Sequence, residues 1–194
     1  MESTVETRLA GRLRDLRTAR GLTLEGLADR SGVSRSMISL IERGESSPTA
    51  QVLDKLSVAL GVTLASLFAE APHASASPLR RRGAQEPWRD PTTGYVRRNL
   101  SPPGFPSPIE LVEVILPPGA RVVYDTGARS PVVEQQVWVI EGEVDLTVGE
   151  TVHALAAGDC LAMRVDRPVA FHNGAGTAAR YLVALTAGEA GRAR

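Results

Sequence analysis

Residues 21–49, GLTLEGLADRSGVSRSMISLIERGESSPT, decide how this chain is built. Thr23 and Ser34 each stand just ahead of a short run with helical spacing, where a small hydroxyl satisfies N–H groups that have no partner inside the helix. Gly32 lies between the two runs and permits the positive φ of a tight turn. Leu27, Ala28, Val33, Ile38 and Ile41 fall on the inner faces. Two short capped helices joined by a glycine turn form a helix-turn-helix.

Working outward, Val5, Leu9, Leu13 and Leu16 recur at helical spacing and predict a helix over 4–20 that packs on this motif. Its arginines are expected to face solvent, except Arg17 and Arg20, which lie nearest the next helix and are placed to meet phosphate. GESSPT stops the third helix. Thr49 caps a fourth, with Val52, Leu53, Leu56, Ala59 and Leu60 as its apolar stripe, and Gly61 ends it. Thr63 is expected to cap a fifth helix carrying Leu64, Leu67 and Phe68, so that a five-helix bundle closes near Ala69.

Residues 71–78, APHASASP, are small and proline-punctuated, as a linker should be. His73 within it reads as an exposed residue of no special role. From about Gly94 the pattern becomes YVRRNL, IELVEVIL, VVEQQVWVIEG, EVDLTVG, TVHALAAG, CLAMRV, VAFHN and ARYLVALT. These β-branched runs, separated by Pro/Gly turns, predict a sandwich or small barrel. The chain is therefore an α+β multidomain protein: a helical unit over 1–70, a linker over 71–79, an all-β unit over 80–188 and a tail over 189–194.

Formal charge is zero, yet it is unevenly spread. Residues 1–70 carry nine basic and nine acidic side chains, 71–98 carry six and two, and 99–194 carry seven and eleven. Since phosphate contacts dominate non-specific affinity for DNA, one copy of so neutral a helical unit would bind weakly and two copies are required. A single cysteine, Cys160, excludes a disulfide framework and fits a reducing compartment. No apolar run is long enough to span a membrane and the N-terminus has no apolar signal core, so a cytoplasmic protein without a membrane partner is expected.

GVSRSMISLIERGESSPT resembles the lambda-repressor-like, xenobiotic-response-element (XRE) family of DNA-binding domains. LPPGA, VWVIEGEVDLTVGE and LAAGDCLAMRVDRPVAFHN are similar to the two motifs of the cupin superfamily, a double-stranded β-helix or jelly roll. That order of domains resembles a kind of bacterial transcription regulator. The resemblance also suggests that Arg80, Arg81 and Arg82 begin the first strand of the cupin rather than adding phosphate contacts.

The resemblance implies a DNA-reading set of Arg17, Thr23, Ser34, Arg35, Ser36, Ser39, Arg43 and Thr49. The second helix of the motif enters the major groove with its N-terminal residues on base edges. Arg35 suits bidentate contact with guanine, Ser36 and Ser39 suit bases or phosphate, and Thr23 suits phosphate. Many members carry glutamine after that threonine; Leu24 stands there, which concentrates base reading on the second helix. Glu42 reads as part of an ion-paired helix end, with Arg43 beside it in reach of phosphate.

Metal-binding cupins use two histidines and a glutamate in the first motif and a histidine in the second. Asp125, Gly127, Gln135 and Val169 occupy those slots here. His172 is three positions past the last slot, an odd shift that turns its side chain to the other face of a strand. No metal and no cofactor are expected. The barrel is then either a pocket for an unidentified small-molecule effector, with Gln135, Val137, Val139 and Asp125 at the site, or a dimerisation unit in which Gln135 is a buried amide bonded to backbone. Cys160 is placed near the pocket mouth. Trp138, on the other parity from Gln135, faces outward where a second subunit would cover it. The resulting expectation is a homodimeric regulator, acting as a repressor, that binds an inverted-repeat operator in double-stranded DNA. A cupin metalloenzyme with a DNA-binding appendage is the contrasting reading.

Overall fold

The computed structural model describes residues 5–69, 76–124 and 133–187. Asp125 and Gly127, the linker's His73 and the tail lie outside them. The helical unit has four α-helices, α1 (Val5–Ala19), α2 (Leu24–Ser31), α3 (Arg35–Glu42) and α4 (Ala50–Ala59). Each cap read from the sequence is present. Thr23 Oγ1 accepts from Gly26 N, Ser34 Oγ from Met37 N and Thr49 Oγ1 from Val52 N, while Gly32 closes α2 at φ +67°. Leu9, Leu13, Leu27, Ile38, Ile41, Leu53 and Leu56 are almost wholly withdrawn from water and form the core between the helices.

The expected fifth helix is a single 3-10 turn, Ala65–Leu67. Thr63 does cap it, accepting from Ser66 N, but the following N–H groups bond three residues back, and Phe68 leaves the axis to dock on Trp88 at a centroid distance of 5.6 Å. One turn is all that this docking allows before the chain changes direction.

The second unit is a sandwich of two antiparallel β-sheets. Its strands are β1 (Pro87–Arg89), β2 (Val96–Asn99), β3 (Ile109–Leu116), β4 (Arg121–Tyr124), β5 (Val133–Glu141), β6 (Glu143–Val148), β7 (Thr151–Ala156), β8 (Cys160–Arg164), β9 (Val169–His172) and β10 (Ala179–Ala187). One sheet runs β1-β2-β3-β10-β5-β8 and the other β4-β9-β6-β7, with antiparallel neighbours throughout. Val112, Val137, Val139, Leu146, Phe171 and Val183 project into the space between them. Gly142, at φ +77° in the β5–β6 turn, is required there: an added Cβ would sit 3.0 Å from Ala178 O and Ala179 Cα at the start of β10.

Arg80–Arg82 do not form the first strand. Arg82–Ala84 is a 3-10 turn, and Arg80 is drawn inward by Asn99 O at 3.0 Å and Ser101 O at 3.3 Å. The first strand begins at Pro87 and places Trp88, 1% exposed, against Tyr95 and Phe68.

The two units are joined by polar contacts as well as by this aromatic cluster. Asp90 Oδ2 accepts Ala50 N at 2.6 Å, Glu110 accepts Thr63 Oγ1 at 2.9 Å, and Asn99 Nδ2 donates to Ala65 O at 3.1 Å. Arg8 pairs with Glu86 at 2.9 Å on the exposed side of the same junction.

Candidate functional site

The first site is the exposed face of α3. Ile38 and Ile41 anchor the helix, which leaves Arg35, Ser36 and Met37 on the surface and Ser39 partly covered. Ser34 Oγ caps the helix and lies 3.2 Å from Ser36 Oγ. Among the described residues Arg35 pairs only with Glu25, at 3.6 Å, and both side chains stay well exposed, so this pair is weakly held. The guanidinium of Arg35 can therefore swing to another acceptor. Thr23 is exposed at the head of α2, and Thr49 is partly covered at the head of α4. Arg43 grips Glu45 through two nitrogens, at 2.7 and 2.8 Å, and donates a third bond to Ser39 Oγ.

Arg17 is employed differently from the expectation. Its Nε and Nη2 donate to the two carboxylate oxygens of Glu42 at 2.7 and 2.8 Å, and its Nη1 donates to Leu22 O at 2.7 Å. The two side chains are 13% and 6% exposed. This fork ties α1 to the end of α3 and holds the Arg17 guanidinium against the fold. Arg20 bonds Leu16 O within the same region.

The second site is a cavity of about 70 Å³ between the two sheets. Gln135, Tyr124, Val169, Phe171 and Tyr181 line it from the barrel, and Asp54, Thr63, Leu64 and Ala65 line it from the helical unit. Val137 and Val139 are fully buried on the same face as Gln135 but fill the core beside it without lining the cavity. Cys160 is exposed on β8, opposite Trp138, away from the cavity. The phenols of Tyr95, Tyr124 and Tyr181 are held above the ordinary tyrosine range by burial, Tyr124 and Tyr181 strongly so. Each therefore remains a neutral hydroxyl, able to donate a hydrogen bond into an apolar space.

The cupin metal slots that can be described do not fit a transition metal. Val169 is 3% exposed and offers no donor, and Gln135 offers only an amide. His172 sits on the outer side of β9, half exposed, with Nδ1 3.5 Å from Asp145. Among the described residues no group of three or more His, Cys, Asp or Glu is arranged to hold a metal ion.

The profile of the helix-turn-helix family HTH_3 matches residues 13–67. The HTH-type transcriptional regulator SutR of Escherichia coli K12 is 31% identical over 166 residues, which is 86% of this chain and 87% of SutR. The chain belongs to the XRE-type family of DNA-binding transcriptional regulators. A second regulator of Escherichia coli K12, PuuR, is 28% identical over 177 residues, covering 90% of this chain and 92% of PuuR. The crystal structure of an HTH_3 family transcriptional regulator from Vibrio cholerae is similar with a TM-score of 0.71 at 26% identity, covering 93% of this chain and 96% of that one.

For an XRE-type regulator, two side chains outside the expected set stand out. Met37 is 37% exposed between Ser36 and Ile38, where a thioether suits a thymine methyl. Arg97 of β2 is 6% exposed and lines the cavity. Strand parity from Tyr95 would have turned Arg97 inward, but a pair of arginines in YVRRNL looks solvated until the partner strands are known. Among the described residues, no helix is long and apolar enough to cross a membrane.

Proposed function

We propose that this regulator binds an inverted-repeat operator as a homodimer, with α3 in the major groove of each half-site and the cupin domain acting as clamp and small-molecule sensor without a metal. The observation that supports this most is the pairing of an exposed, capped α3, whose Arg35 is only loosely held by Glu25, with a family of transcriptional regulators. Arg35 reads guanine, Ser36 and Ser39 reach bases or phosphate, and Thr23, Ser34, Arg43 and Thr49 lie along the phosphate side.

One good bidentate pair gives about 1–3 kcal/mol of discrimination, far short of what a genome's competing sites demand. Two copies held one DNA turn apart supply the rest. The cupin is the holding element: Trp138, 46% exposed on β5, presents apolar surface beside the edge strand β8. Domain limits of 1–70, 71–79 and 80–188 fit this division of labour, with residues 189–194 as a tail. In the simplest mode the bound dimer covers its promoter and represses, in the cytoplasm. An effector acts by favouring one dimer arrangement over another. The relatives named above are transcriptional regulators, and neither the cavity nor the α3 face presents a nucleophile, base and orienter in catalytic order.

Selection of bound genomic fragments, followed by binding assays on the recovered operator, tests this reading. Arg35→Ala is expected to weaken operator binding and relax preference at one base pair, and Ser36→Ala to weaken it less. Unchanged affinity and preference in Arg35→Ala would remove α3 as the reading helix.

A further inference from the structure

Arg97 is only partly paired within the fold: it meets the Tyr95 hydroxyl and the face of Phe68. Its Cζ lies 5.5 Å from the centre of the Phe68 ring, while Nε and Nη2 are buried and have no hydrogen-bond partner. That same Nε/Nη2 edge is the one Arg17 presents to Glu42 and Arg43 presents to Glu45. Among the described residues no carboxylate forms an ion pair with Arg97. Glu113 serves Arg98 and Arg180, and the 1% exposed Asp54, which lines the same cavity, makes an interaction but no ion pair with Arg97 among the described residues. Burying an arginine without an anion is strongly unfavourable, so the group is kept for something that brings one.

The surroundings narrow what that is. The walls near Arg97 are Val114, Val169, Phe171 and Val183, with Tyr181 as a neutral phenol and the Tyr124 hydroxyl 3.4 Å from that of Tyr95. One cation calls for one negative charge. A tetrahedral oxyanion would press its remaining oxygens on valine and phenylalanine, whereas a carboxylate with an alkyl tail matches both the fork and the walls. About 70 Å³ is small beside the roughly 300 Å³ and more of drug-sized sites, so the tail is short.

We propose that the cavity is a receptor for a short-chain monocarboxylate, paired with the Arg97 guanidinium and with its tail against the valine–phenylalanine wall. Thr63, Leu64 and Ala65 of the helical unit line the same cavity, and Phe68 stacks on the receptor arginine. A bound carboxylate thus touches both halves of the regulator. The inference deepens the sensor reading above and rests on it only for the consequence at DNA.

The test uses the full chain at fixed ionic strength in a carboxylate-free, phosphate-free buffer. Acetate, propionate, butyrate and valerate, their primary amides, and sulfate are titrated while heat unfolding and binding heat are followed. Carboxylates are expected to bind and raise the unfolding midpoint, whereas amides and sulfate do neither. Arg97→Gln is expected to weaken carboxylate binding about 10- to 100-fold, as loss of a charge-assisted pair implies, and Tyr124→Phe a few-fold. No carboxylate binding, equal binding of amides, a preference for sulfate, or undiminished binding in Arg97→Gln would overturn the proposal. Should Arg97→Gln fail to fold, the carboxylate–amide contrast in the unaltered protein and the Tyr124→Phe loss decide the matter. Operator affinity measured with and without the carboxylate separates the two readings. Binding that leaves DNA affinity unchanged sinks the sensor and keeps the receptor, and intact DNA binding with no carboxylate binding sinks the receptor alone.

Discussion

Asp90, in the turn after β1, accepts the backbone N–H of Ala50 at the head of α4 at 2.6 Å. Its other oxygen accepts Thr92 N, Thr93 N and Thr93 Oγ1, so a 2% exposed carboxylate is fully bonded without a cationic partner. Helix α4 is therefore capped twice, by its own Thr49 and by a residue of the barrel, and the carboxylate also meets the positive end of the helix dipole. Asp90→Ala leaves the buried N–H of Ala50 and the part-buried N–H groups of Thr92 and Thr93 without that acceptor and is expected to lower stability by about 2–3 kcal/mol. Amide exchange measured at Ala50 and Val52 should quicken first; exchange that rises evenly along the chain would show that the junction does not hold α4.

Arg17 and Glu42 give a second test, because their nearly buried fork joins α1 to the end of α3. Glu42→Ala strands a guanidinium and is expected to destabilise by about 2–3 kcal/mol, below the 3–5 kcal/mol of fully buried pairs since Arg17 retains some solvent. Arg17→Met with Glu42→Leu should recover most of that loss. Under conditions where the variants are folded, the salt dependence of operator binding should be the same as in the unaltered protein. A slope reduced by about two, one contact per half-site, would return Arg17 to the phosphate backbone.

The helix-turn-helix was legible because its signals are local: Thr23, Gly32, Ser34 and Thr49 act within four residues of themselves. The longer strands were legible from their alternation. What escaped depends on partners distant in sequence. The strands Pro87–Arg89 and Arg121–Tyr124 are too short to show a period, and the turn at Ala65–Leu67 is cut short by Trp88, twenty residues on. Arg17 shows the same limit at the site, since nothing local marks Glu42 as its acceptor. Arg97 is the clearest case: its neighbour Arg98 meets Glu113 on the outer face, and only the sandwich sends Arg97 the other way.

The tyrosines make stability sensitive to alkaline pH. All three, Tyr95, Tyr124 and Tyr181, are held above the ordinary range, first by burial and, for Tyr124 and Tyr181, also by neighbouring phenols. Below about pH 10 they are protonated in both folded and unfolded chains and contribute no slope. Above it the unfolded chain loses protons that the folded chain keeps, so stability falls by up to about 1.4 kcal/mol per pH unit for each tyrosine. Tyrosinate absorbance followed against pH should rise together with loss of the folded circular dichroism signal. Absorbance that rises while the fold persists would place at least one phenol in contact with water.

Trp138 carries the dimer prediction. It stands on the outer face of β5, opposite Cys160 on the edge strand β8, and is 46% exposed. A two-fold interface would present this patch on both subunits, so Trp138→Glu places two like charges into one contact. Because the side chain is half exposed in a single chain, the change should leave chain stability within about 0.5 kcal/mol. Sedimentation is expected to show half the native mass. Operator affinity should then fall steeply and depend on protein concentration, because two half-sites are no longer held at fixed spacing. A variant that keeps the native mass and native operator affinity would move the dimer contact away from this face.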